Sequence, residues 1–388
     1  MREIYLDNGA TTRPSPKVVA KMMQVLTEEY GNPSSLHRKG QQAEKYVEEA
    51  RRILAEYLRV DPVTLYFTSG GTECSNTAIF GAARRSRRRG SHILSVRGEH
   101  PATGEPLKAL ASQGYEIEYI DNDRAGRAIP ESLAQKLRPD TVLVTCLHVN
   151  NETGVIQPVE EIGKIIREKN PETLFHVDAV QSFAKMPLDP LQWNVDLLSS
   201  SAHKFHGPKG TGCLYIRRGL QLPPFLQGGG QERRMRSGTE NVPGIAGMGE
   251  AVREAMEDLA GHAAKVRDLK LYLWKRISQE ISGVTVNGPD PEEGAPHVLN
   301  VRFSDVRSEV LLHSLEDYGI FISSGSACAS NKPEEKSPAL DAIGLNREEM
   351  DQSVRFSFSV YNTVMELDET VEALKKTVPM LRRYTRRR

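Results

Sequence analysis

Short apolar runs alternate with helix-period segments through the first two-thirds of this 388-residue chain, and few folds accommodate that alternation. Apolar residues recur at helical spacing in Val18, Met22, Val25 and Leu26, and again in Tyr46, Ala50, Ile53 and Tyr57. Leu65-Tyr-Phe-Thr then reads as a short buried strand running into Ser69-Gly-Gly-Thr72 and a helix. Further strands are expected at 92–96, 115–120, 141–149, 174–177, 196–200 and 212–216, with helical patterns between several of them, as at 159–169. Strands alternating with helices build a mainly parallel sheet covered on both faces, so the fold class is α/β. A charged amphipathic stretch over about 247–281 should lead into a smaller α+β unit. That unit is expected to hold strands at 284–287, 298–303, 321–324 and 354–359, a helix over 307–318 and a C-terminal helix.

The charge is balanced, 51 basic against 51 acidic residues, so no net field draws the chain to nucleic acid or an anionic membrane. The runs Arg84-Arg-Ser-Arg-Arg-Arg89 and Arg382-Arg-Tyr-Thr-Arg-Arg-Arg388 are expected to cap solvated helix ends. No apolar run approaches the length of a membrane span, and the first residues lack the apolar core of a signal peptide. A cytoplasmic protein is the expectation. Cys74, Cys146, Cys213 and Cys328 lie far apart, with no Cys-x-x-Cys pair and no metal-ligand spacing, so reduced thiols and no metal are expected.

Lys204 stands in Ser199-Ser-Ser-Ala-His-Lys-Phe-His-Gly-Pro, where an apolar run gives way to a Gly/Pro-rich turn. An ammonium delivered there can lose its proton when desolvated and act as Schiff-base nucleophile and general base; the bland alternative is a solvated surface lysine. Ser69-Gly-Gly-Thr72 sits between strand and helix, where glycines let a phosphate approach free helix N–H groups, unless Thr72 merely caps the helix. Asp178 ends an apolar strand, and a carboxylate there needs a partner, which a protonated pyridine nitrogen would supply. A helix N-cap or an ion pair would also serve it. Gln181 could reach the same ligand. His100 follows a strand and suits ring stacking and proton transfer, or a structural role. Asn151 follows another and suits hydrogen bonding to a ligand, or an Asx turn. Cys328 occupies a small, polar stretch, Ser323-Ser-Gly-Ser-Ala-Cys-Ala-Ser, unlike the other three cysteines, whose contexts suit burial. Arg355 could clamp a carboxylate bidentately or form a surface ion pair.

Together and in this order, these segments resemble the cysteine desulfurases of the NifS/IscS type, relatives of the class V aminotransferases. The likeness runs from Tyr5-Leu-Asp-Asn-Gly-Ala-Thr-Thr12 and Gly31-Asn-Pro-Ser-Ser35, through Gly228-Gly-Gly-Gln-Glu and Arg236-Ser-Gly-Thr-Glu-Asn241, to Val354-Arg-Phe-Ser357. It implies a fold-type I pyridoxal 5'-phosphate enzyme with a mainly parallel seven-stranded sheet. A large cofactor-binding domain is implied over 14–258. A small α+β domain is implied over 1–13 and 259–388, carrying the catalytic cysteine loop at about 323–336.

The resemblance makes Lys204 the Schiff-base lysine and Gly71, Thr72, Ser201 and His203 phosphate ligands, with Thr239 reaching the phosphate of the other subunit of a homodimer. Asp178 would hold the pyridine nitrogen, Gln181 the ring hydroxyl, and His100 would stack on the ring. Asn151 and Arg355 would grip the substrate carboxylate, and Cys328 would accept sulfur. Ser359 and Cys74 depart from the glycine and serine common in relatives. Housekeeping relatives carry a longer C-terminal segment that docks the iron–sulfur scaffold, so the likeness does not name the acceptor. The implied reaction converts L-cysteine to L-alanine and passes sulfur, as a persulfide on Cys328, to an iron–sulfur scaffold or a sulfur carrier for tRNA thiolation. The alternatives are a selenocysteine lyase, a cystine lyase or an aminotransferase on the same fold, and a non-catalytic protein that binds nucleic acid through its Arg-rich runs.

Overall fold

The structure, a computed structural model, describes residues 3–324 and 336–385. After a short strand β1 (Ile4–Tyr5) come the strands of the central sheet: β2 (Leu65–Thr68), β3 (His92–Val96), β4 (Glu116–Ile120), β5 (Thr141–Leu147), β6 (Leu174–Asp178), β7 (Leu197–Ser201) and β8 (Gly212–Ile216). Their spatial order is β2-β8-β7-β6-β5-β3-β4. Strand β8 runs antiparallel to both its neighbours, and the remaining pairs are parallel. The expected mainly parallel seven-stranded sheet is therefore present.

Several strand boundaries differ from the expected ones by one or two residues, and two of the differences have visible reasons. Strand β5 stops at Leu147 because the chain then turns: His148 N–H bonds to Asp178 O, and Val149 pairs with Ile156 in an isolated bridge. Strand β7 starts after Asp196, whose buried carboxylate instead accepts from Phe175 N–H and pairs with Arg167 and Arg217.

Every residue of β3, β5, β6, β7 and β8 is buried, as a sheet covered by helices on both faces requires. Three of the polar residues among them bond to one another across strands. Thr145 Oγ1 lies 2.8 Å from His176 Nδ1, and His176 Nε2 lies 2.8 Å from Ser199 Oγ. This ladder gives His176 a structural role and holds β5, β6 and β7 in register just below their carboxyl ends.

The expected amphipathic stretch at 247–281 is two helices, Val242–Glu257 and Leu259–Glu280. They break at Asp258, whose side chain accepts from Gly261 N–H and caps the second helix. Beyond them lie β9 (Val284–Val286), β10 (Val298–Phe303), β11 (Ile320–Phe321), β12 (Ser323–Ser324) and β13 (Ser353–Ser357). Four of these form an antiparallel sheet in the order β12-β13-β10-β9, while β1 pairs in parallel with β11. Ile4 and Leu6 share a hydrophobic core with Leu299, Phe303, Phe356 and Leu374, separate from the clusters on the central sheet. The N-terminal segment is thus packed into the smaller unit before it crosses to the sheet edge. Cys74, Cys146 and Cys213 are buried, as their contexts suggested.

The first Arg-rich run departs from its expectation at one end. Arg84, Arg85, Arg87 and Arg88 are exposed around the end of the helix Gly71–Ser86, but Arg89 is half-buried and donates to Thr141 O. Among the described residues, no helix is long and apolar enough to cross a membrane.

Candidate active site

In an open α/β sheet, ligands bind beyond the carboxyl ends of the strands, where loops and helix N-termini converge. Here β2 delivers Gly71 and Thr72, β3 leads to His100, β5 to Asn151, β6 ends in Asp178, and β7 ends in Ser201 and runs on to His203 and Lys204. These residues and Gln181 line one cavity of about 240 Å³. Nine sequence-predicted residues, separated by up to 133 positions (71 to 204), thereby meet around a single space.

One wall is built for an anion. Gly70 is the N-cap of the helix Gly71–Ser86, and no side chain caps it. The alternative role for Thr72, capping this helix, is therefore not the one it plays. The first N–H groups stay free and the helix dipole favours negative charge beside them. Gly70 has φ of +151°, which disfavours other residues, and a Cβ on Gly71 would lie 2.6 Å from Val180 Cγ2. His203 Nδ1 lies 3.1 Å from Thr11 Oγ1; burial first, and then the Lys204 charge, lower the His203 pKa to about 4.

The same cavity presents an under-served carboxylate. Asp178 is buried, and its Oδ1 accepts from Val180 N–H at 2.9 Å, a local turn contact; it caps no helix. No cation forms an ion pair with it among the described residues, and burial raises its pKa to about 6. A protonated ring nitrogen in the cavity would supply the missing partner. Glu99, also buried, accepts from Leu147 N–H at 3.0 Å; burial and then Asp178 push its carboxyl well up.

His100 caps the helix Pro101–Ser112, its Nδ1 accepting from Ala102 N–H at 3.1 Å. Burial and then Lys204 lower its pKa to about 4, so it is neutral with its proton on Nε2. The structural reading of His100 holds, and the ring that caps the helix also lines the cavity. Lys204 Nζ donates to Gly9 O at 2.9 Å and Ala10 O at 2.7 Å. Gln181 Nε2 donates to the same Gly9 O at 2.9 Å.

Arg355 does not line this cavity but is joined to it. Its Nη1 donates to Asn151 O at 2.7 Å and its Nη2 to Asp7 Oδ1 at 2.7 Å. The guanidinium is buried, so this is not the surface ion pair of the alternative reading. It is Asn150, not Asn151, that makes the Asx turn, its Oδ1 accepting from Glu152 and Thr153 N–H. Thr239 is exposed and stands outside the cavity. Cys328 lies outside the described residues. The flanks of its segment are both near the site: Ser323 is paired with Arg355, and Ser337 Oγ donates to Glu152 Oε2 at 2.6 Å.

Sequence reasoning did not single out Asp7, Glu99 or Gly9 as site residues. Asp7 and Gly9 fall inside the N-terminal motif, and Glu99 directly precedes His100, so proximity to a recognised residue was the available signal. The part played by the Gly9 carbonyl has no side-chain signature.

The family model Aminotransferase class-V matches residues 4–370. The chain belongs to the class-V aminotransferase family, in its NifS/IscS branch. A cysteine desulfurase IscS from Pectobacterium carotovorum is 44% identical over 384 residues, covering 98% of this chain and 93% of the relative. Among solved structures, a NifS-like protein superposes with a TM-score of 0.92 at 37% identity, covering 98% of this chain and 100% of the other. SspA in complex with cysteine superposes with a TM-score of 0.81 at 32% identity, covering 93% and 100%. The strand-end cavity described above is therefore set in a class-V aminotransferase fold.

Proposed function

We propose that this protein is a pyridoxal 5'-phosphate-dependent cysteine desulfurase, converting L-cysteine to L-alanine and transferring sulfur through a persulfide on Cys328. The observation that carries the cofactor reading is the presence, in one cavity, of an uncapped helix N-terminus and the buried carboxylate of Asp178, which has no ion pair among the described residues. A ring bearing a phosphate and a protonated nitrogen fits both. When bound, pyridoxal phosphate supplies an aldehyde that joins primary amines and a ring that stores an electron pair.

The chain's own residues then divide the work. Gly71, Thr72, Ser201 and His203 cradle the phosphate, and Thr239 is assigned to the phosphate of the other subunit in a homodimer. Asp178 would keep the ring nitrogen protonated, and Gln181 and His100 would hold the ring. Lys204 Nζ anchors the cofactor and moves the substrate α-proton. Asn151 and Arg355 grip the substrate carboxylate. Cys328 Sγ, as thiolate, forms an S–S bond to the substrate sulfur as the Cβ–S bond breaks, and the electron pair of that bond stays with the carbon skeleton. The persulfide then passes to an acceptor protein, an iron–sulfur scaffold or a sulfur carrier for tRNA thiolation, in the cytoplasm. The division into residues 14–258 and residues 1–13 with 259–388 is proposed likewise, supported by the separate hydrophobic cores.

The test supplies L-cysteine as the sole amino acid, with a thiol reductant, and measures alanine and sulfide. Equimolar products are expected, with Cys328→Ser retaining bound cofactor and losing both. A Cys328→Ser enzyme making alanine at the full rate would overturn the persulfide assignment, and a requirement for a keto acid would make the enzyme a transaminase.

A further inference from the structure

Gln181 is held from both ends. Its Nε2 lies 2.9 Å from Gly9 O, and a carbonyl oxygen can only accept, so the NH2 end of the amide faces Gly9. The oxygen end then faces His297, whose Nε2 lies 3.4 Å from Gln181 Oε1. An amide oxygen also only accepts, so His297 must carry its proton on Nε2. That leaves Nδ1 as the bare ring nitrogen, and it is buried with no hydrogen-bond partner among the described residues.

The surroundings enforce this neutral form. His297 stands directly before β10 and is 2% exposed. Burial, then the charges of Lys185, Lys270, Arg355 and Lys204, hold its pKa well below the ordinary value. A second proton on Nδ1 would be desolvated and face only cations.

We propose that His297 is a positioning residue: its Nε2–H fixes the Gln181 amide so that an N–H, not the oxygen, is offered to the cofactor cavity. Gln181 has two N–H bonds on one nitrogen. One is spent on Gly9 O, which also accepts from Lys204, and the other is available to the cavity that Gln181 lines. Two anchors define the plane of the amide. With Gly9 alone the side chain can pivot about a single bond, and its oxygen becomes a buried acceptor without a donor. Naming the bound group as pyridoxal phosphate rests on the function proposed above; the Gln181–His297 relation does not.

The experiment uses the full chain with and without pyridoxal phosphate. His297→Phe keeps a ring and removes the donor, while His297→Gln returns an N–H at similar reach. We expect His297→Phe to weaken pyridoxal phosphate binding about tenfold, the effect of one unmade hydrogen bond. It should also displace the pH midpoint of the bound cofactor's absorption in the direction seen for Gln181→Ala. The double variant should go no further than either single one, and His297→Gln should restore both readouts. In cofactor-free protein with ¹⁵N-labelled histidine, the His297 ring should be neutral and protonated on Nε2 between pH 6 and 9. Unchanged binding and midpoint in His297→Phe, additive effects in the double variant, or a proton on Nδ1 would each overturn the proposal. Should the Phe variant not fold, His297→Leu and the tautomer of the unmodified protein decide the matter. An unmodified chain that binds no pyridoxal phosphate would sink the functional reading, and the tautomer would still decide the role of His297.

Discussion

Arg355 Nη2 lies 2.7 Å from Asp7 Oδ1, joining β13 to the N-terminal segment at the edge of the candidate site. The same guanidinium donates to Asn151 O, so one buried cation ties together the N-terminus, the loop after β5 and the smaller sheet. Lysine offers a point charge and cannot span both acceptors in a planar fork. Arg355→Lys should raise the KM for cysteine about tenfold or more with a smaller change in kcat. Asp7→Ala leaves the buried guanidinium without its carboxylate and should destabilise the fold by about 3 kcal/mol. Steady-state kinetics and denaturant unfolding measure the two, and a KM left unchanged in Arg355→Lys would remove Arg355 from the substrate site.

Asp178 has a folded pKa of about 6 against an ordinary 3.8, so without a ligand its charge opposes folding. The stability it contributes is present below pH 3.8 and is lost as pH rises through 6. Asp178→Asn should therefore stabilise the cofactor-free protein at pH 7.5 by up to about 3 kcal/mol, with the gain vanishing below about pH 4. With pyridoxal phosphate present the order reverses, because the variant cannot hold a protonated ring nitrogen. Melting curves across pH, with and without cofactor, read both effects. A variant less stable than the parent at pH 7.5 without cofactor would show that the carboxylate is already satisfied.

Histidine burial sets the acid limb. His100, His148, His203 and His206 have pKa values lowered to about 4, and His176 to about 3, with burial the first cause in each. A depressed histidine pKa means that the unfolded chain takes up protons first, so stability falls as pH drops from about 6.5 toward 4. These five outnumber Asp178 and Glu99, whose raised pKa values act in the opposite sense. The melting temperature of the cofactor-free protein should fall steadily over that interval, and a flat profile would contradict the neutral buried imidazoles.

Gly71→Ala places a methyl group 2.6 Å from Val180 Cγ2, at the mouth of the anion-binding turn. We expect cofactor affinity to drop about tenfold or more while secondary structure persists, measured by equilibrium titration and circular dichroism. Lys204→Ala should abolish the imine absorption band of the bound cofactor. Retention of that band in Lys204→Ala would reassign the anchoring lysine.

The large sheet was legible in the chain because its buried strands are near-continuous apolar runs between helical periods, and local pattern carries that information. Boundaries were less so. Asp196 was read as strand, yet its carboxylate accepts from Phe175 N–H and pairs with two arginines, partners remote in sequence. Helix period continued through Asp258, and only the side-chain cap on Gly261 shows why the helix breaks there.

The site divides in the same way. Sequence alone supplied the proposed reacting set: Lys204 on its turn, the glycine pair at 70 and 71, Asp178 at a strand end, and Cys328 in a polar stretch. Each is a matter of residue type in a local context, which is what a linear chain records. Only the tertiary structure decided that Asp178 has no ion-pair partner among the described residues and that His100 is held neutral by burial. It also decided that the Gly9 carbonyl serves both Lys204 and Gln181, and that Gln181 leans on His297, 116 positions away. Those relations depend on distance and desolvation between segments far apart in the chain, and sequence fixes neither until the sheet edge brings the segments together.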